Sequence, residues 1–131
     1  EEDYEIRPMA VEAGIDIIRL MTPTTVGTRL DTVLDGASGF LYYVSITGVT
    51  GTKSANIDEI SKHIDVIKSK TDLPVAVGFG IKTPEDVSAM SKIADAVIVG
   101  SAIVQNMAEH KNDTEMKALI ENQVKALAQA L

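Results

Sequence analysis

"LPVAVGFGIKTPEDV", residues 73–87, holds one complete structural unit. Leu73 to Val77 is a short apolar run rich in β-branched residues, bounded by turn formers, which reads as a strand. Gly78-Phe-Gly80-Ile81 follows as a turn. Thr83-Pro84-Glu85-Asp86 then reads as a helix start: a capping hydroxyl, a proline at the first helical position and two carboxylates near the positive end of the helix.

The same unit recurs along the chain. Strands are expected at 15–20, 40–45, 73–77 and 96–99. An opening helix is expected from about Asp3 to Ala13, around Pro8. Val26, Leu30, Val33 and Leu34 mark a second helix, broken at Gly36. Asn56 is the expected cap of a third, with Glu59 three residues on and Ile57, Ile60, Ile64 and Ile67 on one face. A short helical run, Ala102 to Ala108, precedes a final helix from about Asp113, where Met116, Ile120, Val124, Leu127 and Leu131 keep helical spacing. Strands alternating with helices specify an α/β fold with a parallel sheet and right-handed crossovers. An open doubly wound sheet and half of a (βα)8 barrel both fit this order. A whole barrel usually needs ~250 residues, and the chain has 131.

Composition excludes several classes. The formal charge of -7 opposes a nucleic-acid surface, which needs a basic stripe. No apolar run reaches the ~18 residues of a membrane span. With no cysteine there is no disulfide or thiolate metal site, which suits a reducing cytoplasm. No metal or cofactor is expected. The chain starts at Glu1, without Met and inside a helical pattern, so it is expected to be a piece of a longer protein released by cleavage. A self-associating half-barrel is the alternative.

In parallel α/β folds ligands sit beyond the carboxyl ends of the strands. Those ends read Thr22-Pro-Thr-Thr25, Ser45-Ile-Thr-Gly-Val-Thr-Gly51, Gly78-Phe-Gly80-Ile81 and Gly100-Ser101-Ala102. Glycines there let backbone N–H groups approach an anion, and the short helix after the last strand matches a recurrent barrel phosphate site. Gly48 to Ser54 resembles a nucleotide P-loop, but Thr52 stands where glycine must precede Lys-Ser. Gly78 to Thr83 lacks the third glycine of the dinucleotide fingerprint. The strand ends carry binding groups and no evident acid or base. Asp16 lies at the wrong end of its strand, and His63 and His110 fall on helices, where packed or solvated surface roles are expected.

Tyr42-Tyr-Val-Ser-Ile-Thr-Gly-Val-Thr-Gly51, Pro74-Val-Ala-Val-Gly-Phe-Gly-Ile81 and Val99-Gly-Ser-Ala-Ile-Val104, in this order and spacing, resemble the tryptophan synthase alpha subunit. The resemblance spans the whole chain and implies strands five to eight of that family's barrel. It implies a lyase that cleaves indole-3-glycerol phosphate to indole and glyceraldehyde 3-phosphate, in tryptophan biosynthesis. By position it implies that Gly51, Gly80, Gly100 and Ser101 hold the phosphate. Tyr42, Phe79 and Ile98 would wall the indole pocket, and Thr50 would sit in a lid from Ile46 to about Asn56. Ile46 departs from the Arg that many members carry there. The family's catalytic Glu and Asp belong to the other half of the barrel, so this chain alone is expected to be inactive. A beta subunit is the implied partner, with Thr22-Pro23-Thr24 at the expected contact edge. Another phosphate-sugar barrel enzyme or a non-enzymatic phosphate-binding module are the alternatives.

Overall fold

The computed structural model describes residues 4–45, 53–78, 80–111 and 114–131, with the backbone alone at 53–56. The elements run α1 (Ile6–Glu12), β1 (Arg19–Met21), α2 (Thr28–Leu34), β2 (Leu41–Val44), α3 (Lys53–Lys68), β3 (Val75–Gly78), α4 (Pro84–Met90), β4 (Ala96–Ile98), α5 (Ser101–Glu109) and α6 (Met116–Ala128). The strands are all parallel and neighbour one another in sequence order, β1-β2-β3-β4. A doubly wound sheet reverses its strand order at a switch point, whereas a barrel proceeds in one direction. Sequential order is the barrel's signature.

The two faces of the sheet differ. Met21, Leu41, Val75 and Val77 are fully buried beneath the helices, with Tyr43 beside them. They meet Leu30 of α2, Ile60, Ile64 and Ile67 of α3, Val87 and Met90 of α4, and Leu127 of α6 in one cluster. Full burial of a residue such as Ile64 stabilises by about 1.5–3 kcal/mol. On the opposite face Leu20 is 61% exposed, and Tyr42, Val44 and Ile98 are half-buried. In a closed barrel this second face is the interior.

The strand and the capped helix expected within residues 73–87 both form, with β3 shifted to Val75–Gly78 and α4 running from Pro84. Thr83 Oγ1 accepts from the Asp86 N–H at 3.2 Å, and Asp86 Oδ2 accepts from the Thr83 N–H at 3.2 Å, closing a capping box ahead of Pro84. Thr83→Ala is expected to cost about 1 kcal/mol, measured as a shift in urea midpoint. An unchanged midpoint would show that α4 needs no cap.

Some boundaries differ from the periodicity. β1 begins at Arg19, not Ile15, because the end of α1 takes up the Ile15 amide. Ile15 N–H donates to the Ala10 carbonyl at 2.8 Å and Gly14 N–H to the Val11 carbonyl at 3.1 Å, a Schellman turn. α3 begins at Lys53, so Asn56 lies within the helix instead of capping it. α1 begins at Ile6, and Pro8 sits in its first turn, where a missing N–H leaves no bond unmade. Val26 precedes α2 and is exposed. The stripe of α6 divides: Leu127 enters the core, while Met116, Ile120 and Val124 line a groove beside α5, and Leu131 is exposed beyond the helix.

Candidate functional site

The register sets the strand ends level with one another. Val44 pairs with Gly78, and Gly78 pairs with Ile98. Gly80 and Gly100 therefore each stand two residues past a matched pair, at the same end of adjacent strands. Gly80 has φ of +74°, a conformation that strongly favours glycine. Gly100 occupies the N-cap position of α5, Ser101 is its first residue, and both are exposed. The free N–H groups of that first turn lie just beyond β4, where an anion is stabilised by the helix dipole.

Tyr42 stands on the barrel-interior face of β2, and its ring leans along the sheet over Gly78. A β-carbon at Gly78 would lie 2.4 Å from both Cε2 and Oη of Tyr42. The lean carries the phenol toward the carboxyl ends of the strands. Ile98, half-buried, ends β4 on the same face. Of the expected site residues, Tyr42 and Ile98 thus lie on one face of the sheet, and Gly80, Gly100 and Ser101 follow the carboxyl ends of adjacent strands. Thr50, Gly51, Phe79 and the departure at Ile46 lie outside the described residues.

Three features that the sequence reading missed brace this end. Ser45 is buried, and its Oγ donates to the Gly78 carbonyl at 2.9 Å while its N–H donates to the same oxygen at 3.0 Å. Tyr43 Oη and His63 Nδ1 share a hydrogen bond of 2.7 Å, which ties β2 to α3. Burial, with the Glu59 carboxylate second, pushes the Tyr43 phenol up to about 12. On α6, Gln123 contacts α5 through Asn106 and the Ala102 carbonyl. Only the polar break at Ser45 in an apolar run signalled any of these. His63 and His110 have local partners, Tyr43 and the Asn106 carbonyl, consistent with packing roles.

The turn after β1 is tied by its own hydroxyls. Thr22 N–H donates to Thr25 Oγ1 at 3.1 Å, Thr25 N–H to the Thr22 carbonyl at 2.9 Å, and the Thr22 and Thr24 hydroxyls meet at 2.8 Å. Two carboxylates stand at the strands' other ends: Asp16 precedes β1 and Asp95 precedes β4. The Lys68 ammonium, then the Val75 N–H, hold the Asp95 carboxyl below the usual carboxylate range. Among the described residues no helix is long and apolar enough to cross a membrane.

The family model for the tryptophan synthase alpha chain matches residues 1–131. Curated tryptophan synthase alpha chains of Erythrobacter litoralis and Zymomonas mobilis are 50% and 49% identical over 131 and 132 residues, covering 100% of this chain. The solved alpha subunit of tryptophan synthase from Legionella pneumophila superposes with a TM-score of 0.83 at 29% identity, over 98% of this chain and 47% of that one. The alpha subunit from Campylobacter jejuni gives 0.79 at 36% identity, over 88% and 47%. The chain spans about half the length of the curated relatives, 50% and 48%.

Proposed function

The chain belongs to the tryptophan synthase alpha chain family, and from that premise we propose that it is the phosphate-binding half of an indole-3-glycerol-phosphate lyase. The observation that carries this reading is the alignment of Gly80 and Gly100 beyond paired strands, with α5 starting at Ser101. Backbone N–H groups of Gly80, Gly100 and Ser101, with Gly51, hold the substrate phosphate, and the Ser101 hydroxyl assists. Tyr42, Phe79 and Ile98 wall the indole ring, and Thr50 belongs to the segment that covers it. Binding the phosphate at one end and the ring at the other fixes the bond to be cleaved between them. Proton transfer needs a titratable group within hydrogen-bond reach of the reacting atom. That acid and base come from the other half of the barrel, so the chain alone binds without turnover. The intact protein works in the cytoplasm, with the Thr22-Pro23-Thr24 edge toward a tryptophan synthase beta subunit.

Indole release from indole-3-glycerol phosphate tests this directly. The chain alone is expected to release none. Mixing it with the amino-terminal half of a related alpha chain, such as that of Erythrobacter litoralis, is expected to restore release. Turnover by the chain alone would place an acid or base among its own residues and end this reading. So would a barrel-sized complex that stays inactive. Size-exclusion of the same samples separates that complex from self-association.

A further inference from the structure

We propose that Gln123 is a positioning residue for phosphate binding: from α6 it locks the first turn of α5 and so aims the Gly100 and Ser101 amides. The inference rests on the phosphate-site reading above and adds what holds that site in place.

α5 carries the anion-facing amides yet is weakly anchored by apolar contact. It is nine residues long and buries no side chain fully. Val104 is 64% exposed and Met107 43% exposed. Met107 borders an open groove of about 490 Å³, shared with Met116, Ile120 and Val124 of α6. By contrast, α3 buries Ile60, Ile64 and Ile67. The orientation of α5 therefore depends more on its polar contacts.

Gln123 supplies two of them, one on each turn. Its Oε1 accepts from Asn106 Nδ2 at 3.0 Å, and its Nε2 donates to the Ala102 carbonyl at 3.4 Å. Ala102 directly follows Ser101. Gln123 thus ties both the middle and the first turn of α5 to α6. Anion binding by a helix start depends on where its N–H groups point, and small displacements forfeit much of it. Releasing the link lets α5 rotate about its exposed flank.

The test is titration of the ¹⁵N-labelled chain with glycerol 3-phosphate, read from the amide shifts of Gly80, Gly100 and Ser101. Gln123→Met keeps side-chain length and helix propensity while removing both hydrogen bonds. It is expected to weaken binding about five- to tenfold, with an unfolding midpoint close to the parent's. Asn106→Ala is expected to weaken binding in the same direction, and the double variant to lose less than the product of the two. Unchanged affinity in Gln123→Met overturns the positioning role while leaving the phosphate site standing. A loss of binding that tracks an equal loss of stability also overturns it, since Gln123 would then be structural only. Ligand-independent spectra of the parent chain would instead overturn the phosphate-site reading, and this inference with it.

Discussion

Gly78→Ala is expected to destabilise the fold by about 1–3 kcal/mol and to drive Tyr42 out of the proposed indole pocket, because the new methyl and the phenol ring claim the same space. The clash involves Cε2 and Oη at 2.4 Å and Cζ at 2.8 Å. All three atoms belong to one rigid phenol group, so relief requires the whole side chain to swing. A ring that swings limits the loss of stability but leaves its place in the pocket. In a Tyr42→Ser background the same alanine is expected to be nearly neutral, a coupling that a double-mutant cycle in urea measures. Additive losses would mean that Gly78 is needed for its backbone and not as the seat of Tyr42. A β-branched residue at position 78 should cost more than alanine, since it adds volume toward the same ring.

Tyr43→Ala should produce the larger loss of stability, about 3–5 kcal/mol, because it opens a cavity in the buried core. Tyr43 is 1% exposed on the helix-covered face, and its loss also leaves His63 Nδ1 without its phenol partner. Against a usual total of about 5–15 kcal/mol, that is a large share of the stability. Tyr43→Phe keeps the ring and removes only the hydroxyl, for about 1 kcal/mol.

The phenol also predicts a pH dependence. Its folded value is raised from 10.0 to about 12, first by burial and then by Glu59, so the folded state holds the proton more tightly than the unfolded chain. The stability it contributes is fully present below pH 10.0 and is lost as pH rises through about 12. The loss is on the order of 1–2 kcal/mol after allowance for solvent screening. Urea midpoints measured below and within that window should fall in the parent chain and fall less in Tyr43→Phe. Equal slopes would assign the alkaline loss to other groups.

The parts of the fold legible in the sequence are those whose hydrogen bonds close locally. The capping box of Thr83 and Asp86 spans three residues, and the isoleucine stripe of α3 needs only helical geometry. Boundaries failed where two local structures competed for one amide. Ile15 has strand-like neighbours, yet its N–H completes the turn that ends α1. The α6 stripe is uniformly apolar in sequence, but only Leu127 of it reaches the core, because Met116, Ile120 and Val124 face the groove beside α5 and Leu131 lies exposed beyond the helix.

In the candidate site, the positions of the glycines past the strands were legible because glycine between a strand and a helix marks the turn there. The contact between Tyr42 and Gly78 was not, since it is diagonal across two strands and depends on register. Gln123 was not legible either: nothing in its neighbourhood on α6 distinguishes it until α5 packs alongside.

By itself, then, the sequence determined the α/β class, the succession of strand–turn–helix units and the polar, glycine-lined character of the strand ends. Alternation and capping act over a few residues and leave their record in composition. The tertiary structure supplied the strand order β1-β2-β3-β4, which bears out the half-barrel that the strand-end loops and the family resemblance implied over a doubly wound sheet. It also decided that Tyr42 rests on Gly78 and that Tyr43 turns away to His63. Strand periodicity puts adjacent side chains on opposite faces, but which strand lies beside which, and in what register, is set by contacts between residues far apart in the chain.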